Sequence, residues 1–186
     1  MQSKKLRDIA VSAAALAIIA GGVTAALAGT NALTASTIAA RNEEAENQAR
    51  LEVIDADSFE RQTLTASDGQ EAVYYTALRG DETVGYVFTV STTGKSAGLT
   101  VMTGISADGK ITGVTVTDDN ETAGYVDKVR DGGLFDRFMG QEAPDGGFTL
   151  GKDIDGVSQA TKTSRGVTDG VNQAVAYYQQ IQKGAE

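Results

Sequence analysis

From Ile9 to Leu27 the chain carries no charged side chain. As an α-helix this run reaches roughly 28 Å at about 1.5 Å per residue, close to the hydrocarbon thickness of a bilayer. A helix packed on the core of a small domain would show a polar face, and no such face breaks this run. Lys4, Lys5 and Arg7 precede it, which places its N-terminal end on the cytoplasmic side and the remainder of the chain outside the cytoplasm. Ala26-Leu27-Ala28 offers a signal-peptidase pattern, but the apolar run is longer than the ~7–15 residues of a signal-peptide core. We therefore expect a cytoplasmic segment at 1–8, a retained single-pass membrane helix at 9–28, a juxtamembrane helix or linker at 29–58, and an extracytoplasmic domain at 59–186.

Composition limits the chemistry of that domain. The chain has no Cys, no His and no Trp. Iron–sulfur ligation needs cysteines, zinc and copper sites rest on Cys and His, and a Ser–His or Cys–His pair cannot be built. A carboxylate-only metal site stays open, because 25 Asp and Glu are present. Redox work would need an organic cofactor. The net charge is −9 although the N-terminus is basic, so the exported part is acidic. Acidity serves solubility and repels nucleic acid. No Gly-x-Gly-x-x-Gly pattern marks an NAD site.

The periodicity predicts an α+β domain, an antiparallel sheet with packed helices. Ala32 to about Ile54 reads as helix, with Glu46 and Arg50 spaced for an i, i+4 pair. Ala72–Leu78, Val84–Val90, Gly98–Ile105 and Lys110–Thr117 read as strands, with turns at Gly80-Asp81 and Asp108-Gly109. Phe148–Leu150 reads as a further short strand, and Phe135 and Phe138 as core. From Thr168 to Gln182 the apolar positions recur at helical spacing, with Ser164 as the expected N-cap.

The segment before that helix is Asp155-Gly156-Val157-Ser158-Gln159-Ala160-Thr161. By itself it reads as a Ser/Thr-rich loop before a helix cap. It also resembles the flavinylation sequence of the FMN-binding domain family, in which a flavin transferase joins FMN through a phosphoester to the last threonine. The resemblance implies covalent FMN on Thr161, with Ser158, Gln159, Ala160, Lys162 and Thr163 around it. Gln159 stands where glycine or serine is usual. A second segment, Glu121-Thr122-Ala123-Gly124-Tyr125, resembles the family's Glu-Thr-Pro-Gly-Leu-Gly loop, which lies close to the flavin. Glu121, Thr122, Gly124 and Lys128 are the cofactor-binding candidates there, and Ala123, Tyr125 and Val126 depart from the pattern. In bottom-up terms a helix start supplies free N–H groups and a positive dipole for a phosphate, and Lys162 and Arg165 add positive charge.

One anchor followed by a small domain is similar to the G subunits of Rnf complexes. That resemblance implies a redox subunit of a ferredoxin:NAD oxidoreductase coupled to Na⁺ or H⁺ transport, working with the other membrane and peripheral subunits of such a complex and not binding NAD itself. A subunit like the C subunit of the sodium-pumping NADH:quinone oxidoreductase, a free-standing anchored flavoprotein reductase, and a domain that has lost its flavin are the alternatives.

Overall fold

The computed structural model describes residues 2–66, 69–96, 98–119, 121 and 123–184. Helix α1 runs from Gln2 to Val53. It contains an apolar stretch, Ala13–Thr30, of mean hydropathy 1.8 whose residues are exposed throughout, and this stretch is long and apolar enough to cross a membrane. The part of α1 up to Ala45 forms one unit, and the residues from Glu46 onward form a second.

The second unit is built on five strands: β1 (Ser58–Thr65), β2 (Glu71–Arg79), β3 (Glu82–Thr93), β4 (Gly98–Ser106) and β5 (Ile111–Asp119). They lie in the order β1-β2-β3-β4-β5, every neighbouring pair antiparallel. Successive strands thus pair through short turns, as the Gly80 and Asp108-Gly109 signals predict. The expected strands match β2 to β5 with small shifts at their ends. β1 was not anticipated. Its sequence, Ser-Phe-Glu-Arg-Gln-Thr-Leu-Thr, is mostly polar and exposed, as suits a sheet edge. Phe148–Leu150 is not a strand. Leu150 makes a single bridge with Ile154, and the stretch turns because the Asp153 carboxylate accepts from the Thr149 N–H at 2.8 Å.

Side chains alternate between the two faces of the sheet, and each face has its own cover. On one face Phe88, Val90, Leu99, Val101 and Ile105 meet the helices α2 (Tyr125–Asp131) and α3 (Thr161–Gly184). On the other, Val87, Met102 and Ala77 meet Val53, Ile54 and Ala56 at and after the end of α1. The predicted Glu46–Arg50 pair forms at 2.6 Å, and the Arg50 guanidinium lies 3.7 Å above the Tyr75 ring. Phe138 is fully buried and packs edge-on against Phe148 at 5.4 Å.

Helix α3 buries Val167, Val171, Ala174, Val175 and Tyr178 along one stripe, the pattern of an amphipathic helix. Two glycines let it lie close to the sheet. A Cβ on Gly166 would stand 2.8 Å from the Thr93 carbonyl oxygen, and one on Gly170 would stand 2.8 Å from Val101. Thr92 Oγ1 donates to the Gly166 carbonyl at 2.9 Å across the same contact. Between α2 and α3 the chain is held by side chains of α3 and of the connecting loop. Asn172 accepts from Phe148 N–H and donates to its carbonyl. Arg137 donates to the carbonyls of Asp155 and Gly132.

Gly170→Ala separates the packing account from simple helix propensity. Propensity alone would stabilise the variant by about 1 kcal/mol, whereas overpacking against the stiff Val101 costs about 1–3 kcal/mol. We expect a net loss, read as a lower urea midpoint with an unchanged slope.

Candidate functional site

The segment Asp155–Thr161 is clamped at both ends. The Asp155 carbonyl is bound by Arg137. The Val157 N–H donates to Ser164 Oγ at 3.1 Å, and Ser164 Oγ donates in turn to the Ala160 carbonyl at 3.0 Å. Ser164 is therefore not the N-cap expected from the sequence. It is fully buried, and α3 begins three residues earlier, at Thr161. Its hydroxyl braces the loop from inside the first turn.

The residue at the cap position is Ala160, whose carbonyl accepts the Ser164 N–H at 2.8 Å. A methyl group accepts no hydrogen bond, so the first-turn N–H groups of α3 lack the side-chain oxygen that usually caps a helix. Gln159 precedes it with φ +65°, the one non-glycine residue at positive φ among those described. Such a conformation strains a side chain with a Cβ. Glycine, with no Cβ, adopts it freely.

Gln159, Ala160, Thr161, Lys162 and Thr163 line a cavity of about 270 Å³. Lys95, from the loop between β3 and β4, and Tyr125, the first residue of α2, line it too. Gly124 starts α2 in the left-handed conformation, at φ 81°, and so turns the chain to present Tyr125. Lys95 Nζ donates to the Tyr125 hydroxyl at 2.5 Å and lies 3.8 Å from its ring centroid. Lys128 Nζ lies 5.0 Å from the same centroid. The Lys95 hydrogen bond, helped by the charges of Lys95 and Lys128, holds the Tyr125 phenol below the ordinary tyrosine value.

The two threonines of the first turn differ in access. Thr161 is exposed. Thr163 is fully buried, and its Oγ1 lies 3.5 Å from the Glu121 carboxylate. The other Glu121 oxygen accepts from the Ser96 N–H at 3.3 Å. Glu121 therefore ties the Lys95 loop to α3.

The structure brings together Gln159 to Thr163 and places Glu121 beside them. Lys128 touches the cavity only through Tyr125, Ser158 lies on the exposed turn outside it, and Thr122 lies outside the described residues. Lys95 and Tyr125 were not among the residues expected at the site. Tyr125 was noted only as a departure from the pattern, and Lys95 gave no signal that was read. Among the described residues no group of three or more His, Cys, Asp or Glu side chains is placed to hold a metal ion.

The strained turn gives a direct prediction. Gln159→Gly removes a left-handed strain of about 1–2 kcal/mol and adds about 0.5–1 kcal/mol of chain entropy lost on folding. The variant should match or slightly exceed the parent in urea midpoint, whereas Gln159→Val, β-branched at positive φ, should fall below it.

This set of groups suits an anionic ligand with a planar part. It offers an uncapped helix start, a free hydroxyl, cations at Lys95 and Lys162, and an aromatic ring. The phosphate and ring of FMN fit those donors. Residues 94–176 match the FMN-binding domain family, a range that contains every group of the cavity. The chain is 35% identical to the G subunit of the Na⁺-translocating ferredoxin:NAD⁺ oxidoreductase complex of Acetobacterium woodii, over 90% of each chain. It is 28% identical to the G subunit of the proton-translocating ferredoxin:NAD⁺ oxidoreductase complex of Clostridium ljungdahlii, over 68% of this chain and 67% of that one. The solved structure of Shewanella oneidensis NqrC aligns with a TM-score of 0.47 at 19% identity, over 71% of this chain and 73% of that one. The chain thus belongs to the family of G subunits of ion-translocating ferredoxin:NAD⁺ oxidoreductase complexes, and its domain is an FMN-binding domain.

Proposed function

We propose that this chain is the electron-carrying G subunit of a membrane ferredoxin:NAD⁺ oxidoreductase coupled to Na⁺ or H⁺ translocation, and that FMN is joined to it through a phosphoester on Thr161 Oγ1. The observation that carries the attachment is the pairing of an exposed Thr161 hydroxyl with a helix start capped only by a methyl group. A phosphoester needs a hydroxyl that a transferase can reach. Its remaining oxygens need donors, which the first-turn N–H groups and the helix dipole supply. Lys162 stands next to Thr161 and adds positive charge. Thr163, buried against Glu121, offers no such access.

Bound FMN supplies electron-transfer chemistry that no side chain of this protein provides. The chain's own residues hold it, orient it and leave it reachable. Gln159, Thr161, Lys162 and Lys95 are all exposed, so the cavity opens onto the surface, where electrons can enter and leave through partner proteins. A carrier with one cofactor and no nucleotide fingerprint must work in this way, with the other membrane and peripheral subunits as partners. The apolar part of α1 tethers the chain in the bilayer, which raises the effective concentration of partners there. Lys4, Lys5 and Arg7 favour a cytoplasmic N-terminus and an extracytoplasmic domain.

Thr161→Ala should abolish the flavin fluorescence of the chain in a denaturing gel and leave the domain folded. Thr163→Ala should keep that fluorescence, with some loss of stability. In membranes Thr161→Ala should stop ferredoxin-to-NAD⁺ electron flow while a tag on this chain still recovers the other subunits. Undisturbed electron flow in the Thr161→Ala membranes would exclude the carrier role.

A further inference from the structure

Tyr125 is one of the residues at which this chain departs from the loop it resembles, with a phenol where leucine is usual. The substitution changes more than size. Val126 and Val129 of α2 are buried in the core, and Gly124 sets the entry to the helix, so Tyr125 has little freedom to swing away. Its half-buried ring packs on the core at one edge and lines the Thr161 cavity. Lys95 reaches over from the β3–β4 loop to bind its hydroxyl at 2.5 Å. That loop is fixed in turn by Glu121, which accepts from Ser96 N–H.

Two ammonium groups therefore share one small ring, at 3.8 and 5.0 Å from its centroid. Like charges so close repel each other, and the ring's quadrupole offsets only part of this. The arrangement concentrates positive potential beside a cavity that the exposed Thr161 also lines. An electron-accepting planar group is the ligand that such a wall favours. Its face packs on an aromatic ring, and the nearby cations stabilise the charge it takes up.

We infer that Tyr125 is the aromatic contact for the flavin ring, that Lys95 is the positioning residue that holds Tyr125 in place, and that the pair shifts the flavin potential upward. This rests on the attachment at Thr161 proposed above. A phenol ring in contact with an isoalloxazine quenches its fluorescence, so the contact has an optical signature separate from electron-transfer activity.

The test uses the full-length flavinylated chain purified in detergent. Flavin emission is compared in the folded protein and after denaturation in SDS, and the midpoint potential is measured by spectroelectrochemical titration. The parent should be strongly quenched when folded. Tyr125→Leu should raise the folded-to-denatured emission ratio several-fold, with an unchanged flavin band in the denaturing gel. Lys95→Ala, on an exposed loop, should raise the ratio by a smaller step and move the potential to a more negative value. If Tyr125→Leu keeps its band with the ratio of the parent, the contact is overturned. If Tyr125→Leu fails to accumulate, Lys95→Ala decides, and parental ratio and potential in that variant overturn the inference. A parent chain without any band in the denaturing gel would overturn the attachment itself, and with it this inference.

Discussion

The close approach of α3 to β3 and β4 is the contact on which the rest of the domain depends. Gly166 and Gly170 remove the side chains that would hold the helix away from the Thr93 carbonyl and Val101. The Val167, Val171 and Val175 stripe then reaches the core. The same approach brings the N-terminal end of α3 beside the β3–β4 loop and Glu121. The site follows from the packing: once α3 is seated, Thr161, Lys95 and Tyr125 must share one cavity. A helix one side-chain layer further out would separate them.

The electrostatics of that corner run against those of the chain as a whole. A chain of net charge −9 places Lys95 and Lys162 around one cavity, with Lys128 beside its Tyr125. The uncapped start of α3 adds the positive end of its dipole. The nearby Glu121 carboxylate is engaged with the Ser96 N–H and the Thr163 hydroxyl. Without Cys or His the domain lacks the ligands of iron–sulfur, zinc and copper sites, and an organic group held by its phosphate suits this corner.

Much of this was legible in the sequence, for identifiable reasons. β2 to β5 showed themselves through β-branched and aromatic runs separated by glycine turns, because their side chains face a core on at least one side. β1 left no such signal, since an edge strand with polar residues on both faces has no apolar period to detect. The start of α3 was displaced because a serine is the usual cap. Here the serine hydroxyl turns inward to brace Val157 and Ala160, and an alanine takes the cap. The Asp155–Thr161 segment stood out only through resemblance. The Lys95–Tyr125 pair joins residues 30 positions apart, and nothing in local spacing announces a contact made across the end of a sheet. Gln159 was visible as a departure, and its cost became clear only with the left-handed backbone it has to adopt.

The central claim is that one hydroxyl, that of Thr161, carries the flavin. It is tested most directly by mass spectrometry of the chain purified from its own membranes, with fragmentation of the proteolytic peptide that spans Asp155 to Arg165. The account predicts an intact mass raised by one FMN less one water, with the added mass located on Thr161. An unmodified peptide, or the added mass on Thr163 or Ser158, would contradict it.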